Sequence, residues 1–429
     1  MFTYSRLVEK VEEIEQYEGI NAQEVAEKLA ALNAFGRTSE GGFTRAPLTP
    51  EERGAVRQFI SWAKDLGLLV WEDHVGNVFA KWEGTDPALP VVMTGSHLDT
   101  VPNGGAFDGA LGCLSSLLAI KRLQRLGFQP ERSIVLVVFL DEEGSRFGHG
   151  LFGSQAIMGE VKSDRLKEFV DDSGLDMYSA LEQFGYNPAK VGDSAWDPKQ
   201  IHSFLELHIE QGKKLERAGA PIGVVSGIAG PSWVNVTFLG QTDHAGNTPM
   251  TERTDAMVAC AEWIVEVESL PAKHSDTAVA TVGKIQAFPN GTNVVAGKVS
   301  ADVDVRDIQK ETRDALLEDI VGAAHKIARK RGLTIEIKPG IKVDPVPVPQ
   351  DLQDAIHEIS KSNELKSITL PSGAGHDMMN LGKYTRGAMI FVPSKNGKSH
   401  SPEEWTDLGD CVRGILVLSE LVRIEGSLK

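Results

Sequence analysis

The first half of the chain alternates between amphipathic stretches and short apolar runs. Apolar side chains recur at helical spacing in some stretches and form runs of strand length in others, which predicts an α/β domain built on a central sheet. A continuous apolar run such as IVLVVFL at 134–140 is typical of a strand that is buried on both faces. The predicted helices are 22–36, 50–67 and 109–126, and the predicted strands are 68–71, 77–82, 91–95 and 133–140.

A different order of elements begins near Gly223. The pattern predicts a strand, a helix, two paired strands, a helix and a strand, which is the βαββαβ order of a ferredoxin-like unit. The Pro-rich stretch 339–349 predicts the connection back to the first domain. We therefore predict a catalytic domain formed by residues 1–221 and 342–429, with residues 222–341 inserted as a second domain. The six predicted elements lie at 233–239, 252–270, 278–288, 298–306, 311–330 and 333–337.

Metal-binding side chains stand at the ends of the apolar runs in five short segments. In α/β sheets, ligands bind beyond the carboxyl ends of the strands, so these segments are expected to meet in one crevice. Imidazole and carboxylate together suit zinc, manganese, cobalt or nickel. Five ligands and a spare carboxylate exceed the needs of one ion, whereas two ions sharing a carboxylate account for all of them and predict metal-assisted hydrolysis. The segments carry His97, Asp108, Glu142 with Glu143, His208 and His400.

Each of these residues, taken singly, also has a purely structural explanation. Asp108 before Gly109 is typical of a turn or of a helix N-cap, and His97 at a strand end is typical of a hydrogen-bonded histidine. Asp99, two positions after His97, changes this balance because a carboxylate there can hold the second ring nitrogen of a metal-binding histidine. Three adjacent acids, Asp141 to Glu143, repel one another at the end of a buried strand, and a cation relieves that repulsion. Spacing alone does not show which glutamate binds metal and which accepts a proton.

Composition narrows the setting of this chemistry. The formal net charge of −16 argues against a nucleic-acid surface. Three widely spaced cysteines cannot form a disulfide framework, which suits a reducing compartment. We find neither a signal-peptide pattern nor an apolar stretch of about 20 residues, the length that spans a membrane. We therefore expect a cytoplasmic protein without a membrane or nucleic-acid partner.

Five motifs in a fixed order resemble the di-metal amidohydrolases of the aminoacylase superfamily. They are GSHLDTVPNGGAFDGALG, FLDEEGSRFG, LELHIEQG, DHAGNTPM and GKSHSP. The resemblance covers roughly residues 20–425 and is strongest to the ureido-acid branch, which comprises N-carbamoyl-L-amino-acid hydrolases, β-ureidopropionases and allantoate amidohydrolases. It implies an α/β, di-metal aminopeptidase-like catalytic domain with an inserted ferredoxin-like lid and dimerisation domain. The implied reaction converts an N-carbamoyl-L-amino acid to the L-amino acid, carbon dioxide and ammonia.

The resemblance also implies a role for each candidate residue. Asp108 is the implied bridging ligand between two divalent ions, and Glu142 is the implied general base. His244 is expected to bind the substrate carbonyl oxygen, while Asn293 and Arg306 bind the substrate carboxylate. The implied metal ligands are His97, Asp108, Glu143, His208 and His400, and the implied substrate contacts are Gln211, His244, Asn293, Arg306, Gly375 and His376.

Alternatives to this function remain open. Allantoate-specific relatives carry an arginine near residues 227–233, where this chain reads GIAGPSW, so carbamoyl amino acids are favoured over allantoate. A β-ureidopropionase would use the same residues with a different pocket and remains an alternative. A dipeptidase or aminoacylase is disfavoured because Asp108 follows His97 by only eleven positions and because His208 stands where the peptidases usually carry an acid. A non-catalytic metal-containing binding protein has no need of Glu142.

Oligomeric state is a further expectation from the family. The resemblance implies a homodimer through the inserted domain, in which His244 and Asn293 serve the active site of the partner subunit. An exposed sheet edge or helix face of that domain is the surface expected to pair with its copy.

Overall fold

The computed structural model describes residues 2–428. Contacts within the chain divide these residues into two compact units. Unit 1 comprises the residues up to Ser226, Val348–Leu370 and the residues from His376 onward, and unit 2 comprises Gly227–Pro347 and Pro371–Gly375. The longer elements predicted from the sequence are all present, with ends that differ by a few residues.

The helices and strands of the described residues are numbered in chain order. The α-helices are α1 Tyr4–Val8, α2 Ala22–Leu32, α3 Pro50–Asp65, α4 Ala110–Arg125, α5 Phe152–Ile157, α6 Met177–Gln183, α7 Lys214–Ala218, α8 Ala256–Ser269, α9 Lys310–Arg331, α10 Gln350–Ser362, α11 Met378–Leu381 and α12 Leu408–Gly426. The strands are β1 Leu69–Glu72, β2 Val78–Trp82, β3 Val91–His97, β4 Ile134–Phe139, β5 Ile201–Ile209, β6 Ile222–Ile228, β7 Gly230–Leu239, β8 Asp243–His244, β9 Val279–Phe288, β10 Val294–Val295, β11 Lys298–Asp307, β12 Thr334–Lys342, β13 Val346–Pro347, β14 Ser367–Ser372 and β15 Arg386–Val392.

Unit 1 is built on a mixed sheet with strand order β1-β2-β4-β3-β5-β15-β6. The neighbours β4, β3, β5 and β15 are parallel, while β1, β2 and β6 pair antiparallel. All six residues of β4 are buried, as its unbroken apolar sequence predicts. Helices α4 and α12 pack against β3 and β5, and α11 packs against β5 and β15. The four parallel strands therefore end at the same edge of a buried sheet.

Helix α3 begins at Pro50, where the sequence predicts a helix start. The side-chain oxygen of Thr49 accepts a hydrogen bond from the backbone N–H of Glu52 at 3.3 Å, and Pro50 occupies the first helical position of α3. Proline fits there because its missing N–H would have no partner within the helix. Local capping chemistry thus sets where α3 begins.

Unit 2 has an antiparallel sheet of order β12-β7-β11-β9, together with a two-stranded ribbon of β8 and β10. Alternate residues of β11 are buried, from Val299 to Val305, so one face of the sheet forms a core. Helices α8 and α9 pack on this sheet and on each other. Trp263 of α8 is fully buried and donates its ring N–H to the carbonyl of Ile320 at 2.9 Å. The predicted α/β class and the βαββαβ order are confirmed.

Two parts of the fold differ from the sequence prediction. The stretch 339–342, predicted to be part of a connection, continues β12 as far as Lys342. Pro339 fits in this strand because β12 is an edge strand, where an absent N–H breaks no pairing on the outer side. Residues 144–200 were given no elements, yet they contain α5 and α6 and contribute to a separate apolar cluster. Among the described residues, no helix is both long and apolar enough to cross a membrane.

Candidate metal centre

The predicted ligands meet at the edge of the sheet where the parallel strands end. His97 is the last residue of β3, and His208 is the second-last residue of β5. Glu142 and Glu143 follow β4 after a short turn, and His400 lies in the loop after β15. Because β4, β3, β5 and β15 are parallel neighbours, their carboxyl ends bring these segments together.

Asp108 lies at the centre of this cluster. Its Oδ1 is 3.1 Å from Nε2 of His208 and 3.6 Å from Nε2 of His97, and its Oδ2 is 3.3 Å from Nε2 of His400. Gln211 donates its side-chain N–H to Oδ2 at 2.7 Å. Asp108 is buried, so three imidazoles and an amide surround a carboxylate that has little contact with water.

The alternative explanation of Asp108 as a helix cap does not hold. The N-cap residue of α4 is Gly109, with φ of 61°, and no side chain caps the helix. A Cβ at Gly109 would lie 2.4 Å from the ring of His97, so only glycine allows the chain to pass this close. The side chain of Asp108 is thereby free to face the histidines.

Both buried histidines direct Nε2 towards Asp108. Nδ1 of His97 is 3.1 Å from the carbonyl oxygen of Asp99, and Nδ1 of His208 is 2.9 Å from the carbonyl oxygen of Ile209. A carbonyl can only accept, so each Nδ1 carries a proton, and a ring that loses its second proton has its lone pair on Nε2. These lone pairs point towards a carboxylate oxygen, an arrangement of acceptors that a cation stabilises. The donor set therefore fits a divalent metal ion.

Two groups of possible ligands share Asp108. His97, Asp108 and His208 form one group, and Asp108, Glu143 and His400 form the other; within each group the ligand atoms lie within 4.8 Å of one another. Together the two groups use all five predicted ligands. Glu142 belongs to neither of these two, although it forms a further group with His97 and Glu143, and its Oε2 is 3.7 Å from Nε2 of His97.

Asp99 contacts the site through both its backbone carbonyl and its carboxylate. Its backbone carbonyl, rather than its carboxylate, is the nearer partner of the His97 ring, since the carboxylate Oδ1 is 3.5 Å from Nδ1. The carboxylate instead accepts the backbone N–H groups of Glu142, at 3.3 Å, and Glu143, at 3.1 Å. One residue therefore orients a histidine and both glutamates.

The pKa values show how strongly the charges interact. Burial raises the pKa of Glu142 well above its usual value, with His97 opposing the shift and the acids Asp377 and Glu143 adding to it. Burial and the negative charge of Asp108 raise the pKa of Glu143 to about 7. Burial alone would raise the pKa of Asp108, but its contacts with the three histidines hold that pKa well below the usual range. A bound cation would favour the charged form of all three acids.

Glu404 is a further supporting residue that the sequence did not indicate. Its Oε1 accepts the backbone N–H groups of Phe107, at 2.8 Å, and Asp108, at 3.0 Å. Its Oε2 is 2.9 Å from the hydroxyl of Ser399, which is also 3.0 Å from Oδ2 of Asp108. Glu404 follows another acid in SPEEW, a pattern typical of a solvated turn, and nothing in that pattern indicates that it is buried.

His376 is the remaining predicted site residue of unit 1. Its buried ring packs edge-on against His208, with ring centroids 4.6 Å apart. Burial lowers the pKa of His376 well below its usual value, and the neighbouring His208 adds to this shift. His376 therefore remains neutral at pH 7 beside the cluster.

Four predicted substrate contacts lie in unit 2, and the β8–β10 ribbon carries two of them. His244 is exposed, and its Nδ1 accepts the backbone N–H groups of Gly246, at 3.0 Å, and Asn247, at 3.1 Å. Nε2 of His244 therefore carries the ring proton and can donate it to an acceptor. The carbonyl of Asn293 accepts the N–H of Ala245 at 3.0 Å, which places Asn293 beside His244.

Arg306 and Gly375 are the other two predicted substrate contacts in unit 2. The guanidinium of Arg306 binds Asp304 through Nε and Nη2, at 2.7–3.1 Å, and donates from Nη1 to the carbonyl of Gly373 at 2.7 Å. These bonds use three of its five N–H groups and leave one N–H each on Nη1 and Nη2. Gly375 is exposed in the same segment as Gly373.

Comparison with known proteins shows similarity over nearly the whole chain. Residues 93–424 match the family described as Peptidase family M20/M25/M40. An N-carbamoyl-L-amino-acid amidohydrolase of Pseudomonas sp. (strain NS671) is 40% identical over 397 residues, which cover 92% of this chain and 96% of that protein. An allantoate amidohydrolase of Bacillus subtilis (strain 168) is 35% identical, with 93% and 96% covered. The crystal structure of an amidase of the hydantoinase/carbamoylase family from Burkholderia multivorans superposes with a TM-score of 0.89 at 31% identity, covering 95% of this chain and 98% of that one.

The contacts of Glu404 generate a prediction about metal affinity. Glu404→Ala removes the acceptor of two backbone N–H groups next to Asp108 and should weaken divalent-metal binding by about 10–100-fold, the usual effect of losing such a supporting group. Glu404→Gln is the matched control, because its amide oxygen can keep both bonds. Competition with a chelator measures the affinity. Equal affinity of the alanine variant and the unmodified protein would show that Glu404 does not orient Asp108.

Proposed function

The chain belongs to peptidase family M20/M25/M40, and from this membership we propose that it hydrolyses N-carbamoyl-L-amino acids with two bound divalent metal ions. The observation that carries the proposal is Asp108, a buried carboxylate shared by two groups of possible ligands. The similarity to amidohydrolases over more than nine-tenths of the chain supports hydrolysis of an amide bond.

We assign the ions to the two groups that share Asp108. His97 and His208 would hold one ion with Asp108, and Glu143 and His400 would hold the other with Asp108. Zinc, manganese, cobalt and nickel all suit this mixture of imidazole and carboxylate. When bound, such ions polarise a carbonyl group and lower the pKa of water towards about 7. Asp99 and Glu404 would keep the ligands in place through the hydrogen bonds described above.

Glu142 is the proposed general base. It stands beside His97 but lies outside the two groups that share Asp108, so its carboxylate is not needed as a ligand. Its N–H bond to Asp99 fixes the backbone from which the side chain projects. Glu142 would take a proton from the water that attacks the carbamoyl carbon and give it to the leaving nitrogen as the C–N bond breaks.

Residues of unit 2 are the proposed substrate contacts. His244 would donate its Nε2 proton to the carbonyl oxygen as negative charge develops there, a role that its hydrogen-bonded Nδ1 supports. Arg306 would bind the substrate carboxylate through its two remaining N–H groups, with Asn293 as a further donor. Gln211, Gly375 and His376 complete the proposed set.

The choice among ureido acids rests on a short segment. Residues 227–233 have no arginine, which favours a carbamoyl amino acid over allantoate. Allantoate amidohydrolase is the second candidate, because a protein of that name is also similar over nearly the whole chain. We also propose that the enzyme acts in the cytoplasm, since its three cysteines are all unpaired and buried.

The proposed function predicts metal-dependent release of ammonia. The protein is stripped with a chelator, reconstituted separately with manganese, cobalt, nickel and zinc, and given N-carbamoyl-L-methionine, N-carbamoyl-β-alanine, allantoate or a dipeptide. We expect turnover of the carbamoyl-L-amino acid only after metal is restored. Turnover of allantoate instead would change the assigned substrate but not the assigned reaction. No turnover with any metal would refute the proposed hydrolysis.

Glu142→Gln tests the base directly. The amide is nearly isosteric but cannot accept the proton, so kcat should fall by about 10²–10⁴-fold while metal content is unchanged. Glu403→Gln is the matched control, since Glu403 is an exposed acid that pairs with Lys398 at 3.1 Å. Stopped assays of kcat, together with metal analysis, give the result. Near-normal kcat in the Glu142→Gln variant would show that Glu142 is not the general base.

We further propose a homodimer formed through unit 2, in which His244 and Asn293 serve the partner's active site. In support, β9 is an edge strand with exposed Val279 and Ile285, and Val265 of α8 is 68% exposed. Light scattering should give twice the monomer mass, and Val265→Glu should shift the protein towards monomer. Val170→Glu, at an exposed position of unit 1, should leave the mass unchanged. A monomeric unmodified protein at assay concentration would contradict this proposal.

A further inference from the structure

Asn77, in the turn between β1 and β2, has a fully buried side chain, and both the oxygen and the nitrogen of its amide are hydrogen-bonded. Its Oδ1 accepts the backbone N–H of Leu140 at 2.9 Å. Its Nδ2 donates to Oδ2 of Asp73 at 2.8 Å and to the carbonyl of Gly153 at 3.1 Å. Leu140 lies two residues before Glu142, so Asn77 contacts the start of the loop that carries both glutamates of the site.

Asp73 fixes the orientation of this amide. Its Oδ1 accepts the backbone N–H groups of Val75, at 3.0 Å, and Asn77, at 2.9 Å, and its Oδ2 accepts the side chain of Asn77. Asp73 can only accept here and the N–H of Leu140 can only donate, so the oxygen and nitrogen of the Asn77 amide cannot exchange places. The amide therefore holds Leu140 and Gly153 in one arrangement.

The loop that Asn77 holds is strained and closely packed. Asp141 has φ of 55°, an unfavourable value for a residue with a side chain. Backbone bonds from Leu151, Phe152 and Gly153 to the carbonyls of Glu142, Asp141 and Leu140, at 2.8–3.0 Å, stabilise it. A Cβ at Gly153 would lie 2.3 Å from Oδ1 of Asn77, so these two segments pack too closely for any residue with a side chain at position 153. Strain of this kind persists only where the surroundings fix the backbone.

We propose that Asn77 is a positioning residue for Glu142 and Glu143. It fixes Leu140, where the loop leaves β4, while Asp99 fixes the N–H groups of the two glutamates. The role assigned to Glu142 rests on the proposed function, whereas the placement of the loop does not. Without Asn77, the buried N–H of Leu140 loses its partner and the carbonyl of Gly153 loses one donor, so the loop relaxes and Glu142 leaves its place beside His97.

Asn77→Ala should reduce turnover without reducing substrate affinity. A displacement of about 1 Å at a catalytic group can cost about 10²-fold, so we expect kcat to fall by about that factor with KM within about threefold. Hydrogen exchange followed by mass spectrometry should show faster exchange in the peptide that contains Leu140 to Glu143. Asn363→Ala is the matched control, because Asn363 also donates its side-chain N–H to a carbonyl, that of Ile359 at 2.8 Å, far along the chain from the site.

A reciprocal exchange separates positioning from general destabilisation. Asn77→Asp places two carboxylates in contact and should lower kcat at least as much as the alanine variant. Adding Asp73→Asn restores a donor opposite an acceptor, while Oδ1 of residue 77 still accepts the N–H of Leu140. The carbonyl of Gly153 faces a carboxylate oxygen in both variants, so their comparison isolates the contact between residues 73 and 77. The double variant should therefore recover at least about tenfold in kcat over Asn77→Asp, a coupling typical of residues in direct contact.

The outcomes distinguish this proposal from the proposed function. Unchanged kcat in Asn77→Ala, unchanged exchange of the Leu140 peptide, or no recovery in the double variant would overturn the positioning role. If the unmodified protein hydrolyses no ureido acid, the proposed function fails, and the hydrogen-exchange result alone then supports or overturns the placement of the loop by Asn77. If Asn77→Ala does not fold, the comparison of Asn77→Asp with the double variant decides.

Discussion

A carboxylate buried among three imidazoles needs a positive charge nearby, and Asp108 is in this position. Its two oxygens lie 3.1–3.6 Å from the Nε2 atoms of His97, His208 and His400. The rings of His97 and His208 donate their Nδ1 protons to backbone carbonyls, so Nε2 is the atom that each ring directs towards Asp108 and could offer to a metal ion. Protons or metal ions can satisfy such a cluster, and its chemistry matches the ligand preferences of divalent transition metals.

The scaffold around Asp108 explains why these groups stay together at such electrostatic cost. Four parallel strands end at one edge and bring His97, His208 and the two glutamates to it. Gly109 lets the chain pass beside the ring of His97, which directs Asp108 inwards at the start of α4. Asp99, Glu404 and Asn77 then bind the backbone around the ligands. Rigid surroundings of this kind hold catalytic groups in a productive geometry without cost at the moment of reaction.

The sequence predicted the parts of this structure that depend on local pattern. Unbroken apolar runs identified β4 and β3, and acids or histidines directly after them indicated the site, because the ends of buried parallel strands share an edge. The βαββαβ order of unit 2 followed from alternation, which β11 shows from Val299 to Val305. Family resemblance separated the roles of Glu142 and Glu143, which spacing left open.

Long-range hydrogen bonds set the limits of the prediction. Glu404 and Asn77 contact backbone 297 and 63 residues away, and nothing in their local sequence distinguishes them from solvated turn residues. Asp99 was expected to hold His97 with its carboxylate, whose Oδ1 is 3.5 Å from Nδ1. The sequence did not indicate the nearer backbone carbonyl, at 3.1 Å, or the bonds from the carboxylate to the N–H groups of Glu142 and Glu143. The helices in residues 144–200 were missed because α5 and α6 have only 6 and 7 residues, too few to show a helical period in the apolar positions.

The measurement that tests the account most directly is the number of metal ions bound per chain. Stripped protein is dialysed to equilibrium against manganese or zinc, and the bound metal is counted by elemental analysis for the unmodified chain and for Asp108→Ala. Asp108 is shared by both proposed sites, so the account predicts two ions for the unmodified chain and the loss of both in the variant. No bound metal in the unmodified chain, or two ions retained without Asp108, would contradict it.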